Sequence, residues 1–399
     1  MKETVRLMDS QLDLENLKSI NYILERDSKD TTYKFALLRS VIEATQYYDH
    51  LKKVSGETVS FPLGVLIEKW IMYYYPLVEN GIPQKYGEDG TKGKTLAFGK
   101  YLKKICNYYK DKGGFSFFNY DFKRGHLPAS IINDFLDLLK SLKNTITNMP
   151  MKYLGTSYYQ DYYSIFKYNR DAKSVKIPGN PDIEFIIKNF GTFSFPYNLY
   201  VVFRYLGSLI NGTESIIYQW AKFSVRADIK QALTVENVLD KLLLTPETER
   251  DVLISKNFFQ NFIKQNQTLE CVWSGKNITH STINIDHILP FSIWKNNDLW
   301  NLLPVHKMIN LTKRDKIPSP NLIEKRKEVI LNYWQMIYLA YPDRFEKELR
   351  YNLVGINEDS SFPINFADSN IKNNLVRSLK EKSNFLIETR GYEGWNITN

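Results

Sequence analysis

Residues 271–319 read CVWSGKNITHSTINIDHILPFSIWKNNDLWNLLPVHKMINLTKRDKIPS, and the fold of the C-terminal part of the chain turns on them. Asp286 and His287 close a strand-like alternation. Asn301 lies fifteen residues beyond Asp286, Asn310 nine beyond Asn301, and Lys313 three beyond that. An acid, an imidazole and two amides that close on basic helix residues suit a divalent cation and a phosphodiester. Carboxylate and amide oxygens are what hard cations prefer. An imidazole with a near-neutral pKa can take a proton from water.

Local signals place these residues on elements. Leu269–Trp273 and Thr282–Asp286 are strand candidates joined by the turn residues Ser274-Gly275-Lys276-Asn277, which predicts a hairpin with Asp286-His287 ending its second strand. Pro304 suits the first turn of a helix reaching about Arg314. On that helix His306, Asn310 and Lys313 are four and three apart and share a face. His306 and His280 read as incidental exposed imidazoles. Lys307, Lys313 and Arg314 are candidate phosphate contacts; the plain alternative for Lys307 and Arg314 is a solvated helix face.

Taken together, Asp286-His287-Ile288-Leu289-Pro290-Phe291-Ser292, Asn301, Asn310 with Lys313, and Pro318-Ser319 resemble the HNH nuclease domain, a ββα-metal fold, in the form found in CRISPR effectors and restriction-type proteins. The resemblance implies that Asp286 and Asn310 hold one Mg²⁺ or Mn²⁺ and that His287 is the general base. It makes Asn301 the brace that orients the histidine, and counts His287, Asn301, Asn310 and Lys313 as the catalytic set. Some HNH proteins begin a zinc knuckle where Cys271 stands, but the chain has no Cys-x-x-Cys pair, so no structural zinc is expected. Hairpin rigidity then has to come from packing by the flanking helices.

The activity implied is metal-dependent hydrolysis of phosphodiester bonds in DNA, in restriction or anti-phage defence. The alternatives are a catalytically silent nucleic-acid-binding or regulatory HNH protein, and an RNase, since the metal site does not distinguish sugars. One active site cuts one strand at a time, so a second copy of the chain, or a partner defence protein, is an expected companion.

Outward from this stretch, the fold class expected is mainly α (α+β). Four segments are drawn: a helical N-terminal domain (1–180), a helical connecting region (181–255), the nuclease domain (256–320) and C-terminal helices packing on it (321–399). Helical periodicity marks 30–50, 62–75 with Pro76 as the stop, 128–148, 246–265, one helix over 322–340 and a last one over 370–389. No internal repeat is evident. From Lys100 to His126 basic and aromatic residues interleave. A nucleic-acid groove is one reading; a helix end and a strand with ordinary core aromatics and a solvated basic face is the plainer one, and is preferred because the composition is common.

A hydrophobic share of 43% and an aromatic share of 14% argue against disorder. The net charge of +9 permits a polyanionic partner without demanding one. Two cysteines are too few for a disulfide framework. The start, MKETVRLMDSQLDLENL, lacks the apolar core of a signal peptide, and the most apolar stretch, Phe195 to Ile210, is short and interrupted by Arg204, so no membrane span is expected. A sugar on the sequon Asn310-Leu311-Thr312 would block the site, which favours a reducing, cytoplasmic setting.

Overall fold

The computed structural model describes residues 30–88, 95–170, 181–210, 216–246, 251–266, 269–354 and 364–397, together with Lys18. The chain forms two compact units, Met1–Glu247 and Thr248–Asn399. It is mainly α with short strands. Among the described residues no helix is long and apolar enough to cross a membrane.

The N-terminal unit is helical around a small antiparallel sheet that periodicity alone does not announce. Its strands are β1 (Lys53–Ser55), β2 (Thr58–Pro62), β3 (Lys167–Asn169) and β4 (Thr192–Pro196), in the order β1-β2-β4-β3. The central pair carries a short repeat that the sequence reading missed: β2 is TVSFP and β4 is TFSFP, each running straight into a helix, Leu63–Glu79 and Tyr197–Ile210. They pair as Thr58↔Pro196, Ser60↔Ser194 and Pro62↔Thr192, so a local two-fold passes between the two serines. The flanking bonds obey it: Leu63 N–H donates to Gly191 C=O and Tyr197 N–H to Glu57 C=O, both at 2.8 Å. Alternation does the rest. Val59, Phe61, Phe193 and Phe195 are buried on one face, and the paired rings of Phe61 and Phe193 lie 6.0 Å apart.

The strands are only three to five residues long and come from distant parts of the sequence, and this is why a purely helical expectation missed them. The sheet also joins residues on either side of position 180, where the sequence reading draws a boundary. The loop that suggested that boundary, 171–180, lies outside the described residues.

The expected helices over 30–50 and 128–148 correspond to Tyr33–Tyr47 and Ala129–Asn148. The helix expected to stop at Pro76 runs on to Glu79. Proline removes one N–H from the ladder, but the last turn still closes, with Asn80 N–H donating to Pro76 C=O at 3.2 Å and its side-chain amide doing so at 2.7 Å. Gly64 lets this helix meet Ile183–Asn189 at contact distance: a Cβ there would stand 2.3 Å from the Ile186 carbonyl oxygen. The stretch Lys100–His126 forms two helices, Gly99–Tyr109 and Gly114–Arg124, rather than a helix end and a strand.

Among the described residues of the C-terminal unit a core runs from Phe259 through Trp273, Trp300 and Trp334 to Leu386 and Trp395. Its strands are β5 (Leu269–Glu270), β6 (Asn277–Ile278), β7 (Ile283–His287), β8 (Leu302–His306), β9 (Ile317–Pro318) and β10 (Gly394–Trp395). The hairpin expected between 269–273 and 282–286 does not form. β5 pairs with β6, while β7 pairs antiparallel with β8, from Ile283↔His306 to His287↔Leu302. The ββα unit is therefore β7, β8 and the helix Lys307–Lys313, with Asp286-His287 ending its first strand.

Pro304, read as a helix start, is a strand residue opposite Ile285, and its carbonyl accepts from Val272 N–H at 3.1 Å. The single helix expected over 322–340 breaks at Arg326 into Pro320–Lys325 and Lys327–Ala340. Arg326 turns into the β5–β6 region, where it donates to Val272 C=O at 2.6 Å and pairs with Glu270. With Tyr333 donating to Glu270 C=O, this fixes the small hairpin. β9 pairs in parallel with β10, which ties the last residues of the chain to the end of the ββα unit.

Candidate active site

Asp286 and His287 stand at the end of β7 with 3% and 2% of their surface exposed. A buried carboxylate needs hydrogen-bonded partners, and Asp286 has two, one on each side of it in sequence. Trp273, preceding it, donates its indole N–H to Oδ2 at 2.8 Å. Lys313, at the end of the site helix, places its ammonium 3.1 Å from Oδ1 and 2.8 Å from the His287 carbonyl oxygen. Trp395, at the chain's end, packs edge-on against the Trp273 ring at 6.2 Å. Lys313 is 1% exposed. As placed here it is an internal partner of Asp286 and not a surface phosphate contact, which corrects that part of its expected role.

The backbone explains the inward turn. The helix ends at Lys313, and Arg314 takes φ +51° and ψ −128°. The chain reverses there, leaving Lys313 buried and Arg314 exposed. Lys307 is exposed too, and Asn310 is half-buried one turn before Lys313 on the same face. His306 caps the helix, its Nδ1 accepting from Met308 N–H at 3.3 Å.

His287 is aimed by a residue the sequence reading passed over. Its Nε2 lies 3.3 Å from Asn297 Oδ1, and that oxygen also accepts from Asp251 N–H at 3.0 Å. Because Asn297 presents its carbonyl end to a backbone N–H, it can only accept from the imidazole as well. This contact favours the tautomer with the proton on Nε2 and the lone pair on the buried Nδ1. Asn301 is fully buried and acts one step away. Its Oδ1 accepts from Leu289 N–H at 2.8 Å and its Nδ2 donates to Leu289 C=O at 3.0 Å, pinning the turn that follows His287.

The loop carrying Asn297 is braced by the helix Pro342–Leu349. Arg344 donates to Asn297 C=O at 3.4 Å, and Leu299 N–H donates to Glu348 at 2.6 Å. Burial and the neighbouring Asp298 push the Glu348 carboxyl up to about 8, against the pull of Arg344.

Thus Asp286, His287 and Lys313 come together, Asn301 supports them through the backbone, and Asn310 shares the helix face of Lys313. Trp273 and Asn297 are additions. A buried indole N–H has to find an acceptor, which marks Trp273 as worth pursuing in sequence, but nothing local names Asp286 as that acceptor. Asn297 sits in the polar run Lys295-Asn296-Asn297-Asp298 and carries no signal of its own. Cys271 is buried, with Sγ accepting from His306 N–H at 3.3 Å.

The donor set suits a hard cation. Among the described residues no three His, Cys, Asp or Glu side chains cluster as ligands, but Mg²⁺ ordinarily takes one or two carboxylates and completes its shell with water and phosphate oxygens. In the structure the Lys313 ammonium lies against Oδ1 and the Trp273 N–H against Oδ2.

Residues 13–242, more than half the chain, match one family model. The chain belongs to the family described as a domain of unknown function (DUF8808). Beyond that DUF8808 region, residues 271–319 match the family model for HNH endonucleases, supporting an HNH domain there and a nuclease activity. No curated protein matches the chain.

Proposed function

We propose that the chain is a metal-dependent endonuclease that hydrolyses phosphodiester bonds in DNA, with His287 as general base. The observation that supports this reading is the Asn297 contact: its Oδ1, which also accepts from Asp251 N–H, stands 3.3 Å from Nε2, an arrangement that favours the proton on Nε2 and would make the buried Nδ1 the nitrogen that takes a proton from an attacking water. Asp286 and Asn310 would hold one Mg²⁺ or Mn²⁺, which when bound supplies positive charge to the phosphoryl and leaving oxygens. Trp273 fixes the carboxylate through Oδ2, and Lys313 lies against Oδ1, the oxygen that a bound cation would share. Asn301 keeps the Leu289 turn, and with it the imidazole, in place. Lys307, which opens the helix, and Arg314, which follows it, are exposed and would contact phosphate. A role in restriction or anti-phage defence inside the cell is supported by the resemblance of the Asp286-His287 motif to restriction-type and CRISPR-effector HNH segments.

The experiment incubates the purified chain with plasmid, phage genomic DNA and structured RNA, in Mg²⁺, Mn²⁺ or EDTA, beside His287→Ala. Cleavage of DNA in metal only, lost in the variant and leaving 5′-phosphate ends, is the expected result. Equal cleavage by His287→Ala would sink the assignment of the base. Cleavage of RNA alone would replace DNA as substrate, and 5′-hydroxyl ends would contradict attack by water.

A further inference from the structure

The run Lys100–His126 holds seven lysines and arginines against two aspartates, Asp111 and Asp121, an excess of five in a chain whose whole excess is nine. Folding sorts its rings into two sets. Tyr109, Phe115, Phe118 and Phe122 are buried, as an ordinary core explanation requires. Phe117 and Tyr120 are left on the outer face of the helix Gly114–Arg124, 56% and 50% exposed, where packing asks for no ring at all.

Those two rings belong to a continuous stripe of rings and cations. Lys112 stands over the half-buried Tyr108 ring, its Nζ 3.3 Å from the centroid. The chain then turns through Gly113 at φ +88°, and the Phe117 ring lies so close to this turn that a Cβ on Gly113 would meet Phe117 Cδ2 at 2.6 Å. Phe117 and Tyr120 have centroids 6.3 Å apart, and the Arg124 guanidinium sits 4.1 Å from the centroid of Tyr120. Two exposed rings side by side, with a cation beyond each end, fit a ligand that carries both negative charges and flat rings.

We propose that Tyr108, Lys112, Phe117, Tyr120 and Arg124 form a binding surface for single-stranded nucleic acid. Phosphates meet Lys112 and Arg124, and unpaired bases stack on Phe117 and Tyr120. A duplex keeps its bases inside its own stack and offers this edge only backbone. An acidic protein supplies the charge without the flat faces. The surface lies in the DUF8808 region, outside the residues assigned to cleavage, and does not depend on the nuclease reading.

The test measures anisotropy of short labelled strands of oligothymidylate, oligouridylate and a blunt duplex, with full-length His287→Ala protein in EDTA, so that cleavage plays no part. Both single strands are expected to bind more tightly than the duplex. Phe117→Ala/Tyr120→Ala is expected to weaken single-strand binding by about tenfold or more, the loss of one to two stacked bases, with circular dichroism unchanged. Phe117→Trp should retain binding and have its emission quenched by the strand. No binding of either strand, unchanged affinity of the double variant, or unquenched Phe117→Trp emission in a bound complex would each overturn the proposal. A preference of uridylate over thymidylate, or the reverse, would identify which strand the surface serves.

Discussion

Each unit buries a carboxylate against a lysine, and the two clusters are built for different ends. In the N-terminal unit Glu43 lies 3.2 Å from both Arg39 Nε and Lys69 Nζ. Burial would raise its carboxyl, yet Lys69 and Arg39 beside it hold it below the usual carboxylate range. The cations are themselves engaged: Arg39 stacks 4.1 Å from the Tyr73 ring centroid and Lys69 lies 5.1 Å from that of Tyr48. In the C-terminal unit Asp286 meets one ammonium on one oxygen and a neutral indole N–H on the other, with side-chain exposures of 5% for Asp286 and 1% for Lys313. Two fixed cations close a carboxylate. A single ammonium leaves Asp286 with fewer charged partners than Glu43, and on the reading proposed above its place is the one a metal would share.

The comparison sharpens most at the base. His287→Ala should lower metal-dependent cleavage by about 10²–10⁴-fold, the usual worth of a positioned base, with unchanged circular dichroism. Glu43→Gln should leave the rate per folded molecule untouched. A drop of similar size in Glu43→Gln would mean that the two clusters do not divide structure from chemistry as described.

The next test bears on stability. Lys313→Met strips a nearly fully buried carboxylate of its ammonium and should cost about 3–5 kcal/mol in EDTA, the cost of breaking a buried pair from one side. Glu43→Gln should cost less, about 1–2 kcal/mol, because its partners are partly solvated. Mn²⁺ should then separate them. It should raise the melting temperature of Lys313→Met more than that of the parent chain, since no ammonium competes at Oδ1, and do nothing special for Glu43→Gln. Equal metal-induced shifts in all three proteins would show that Asp286 is as closed as Glu43.

A smaller effect is expected one residue out from the base. Asn297→Ala frees the imidazole to adopt either tautomer and should reduce kcat about tenfold, with the acid limb of the pH–rate profile displaced. Asn297→Asp keeps an acceptor and should restore most of the rate. If both variants follow the parent profile, Asn297 does not set the tautomer.

These residues also show what a sequence can disclose. Asp286-His287 and the later amides are readable because the chemistry is compressed into one short segment with fixed spacing. Their scaffold is less so. Pro304 looks like a helix start because proline is at home there, yet β8 runs through it, since pairing with Ile285 buries Leu302, Leu303 and Val305. Trp273, Trp395 and Asn297 reach the site only through tertiary contacts, from positions with no pattern between them. The N-terminal unit makes the same point. TVSFP and TFSFP lie far apart in sequence and each reads as a brief prelude to a helix; only their antiparallel register reveals the two-fold. The interleaved stretch near Lys112 was ambiguous for another reason. Composition counts its rings, and folding alone decides that Phe118 is core and Phe117 is not.

The smallest expected effect concerns the brace behind Asn297, and its sign follows from linkage. Burial first and Asp298 second raise the Glu348 carboxyl from 4.5 to about 8. Between those values the folded chain holds a proton that the unfolded chain has lost, so this group makes stability fall as pH rises through the window. Its contribution is fully present below pH 4.5 and gone above about pH 8. Glu348→Gln mimics the protonated form and should flatten that part of the curve, leaving the variant a few degrees more stable than the parent chain at the alkaline end. Since Leu299 N–H donates to Glu348 and Arg344 reaches Asn297 C=O, the same substitution should barely change cleavage at the acid end, where the parent side chain is already neutral. Melting temperatures of both proteins across the window decide it. Parallel curves would show that Glu348 keeps its charge, held by Arg344 at 2.6 Å, and that the loop under His287 rests on a fixed ion pair instead of a titrating one.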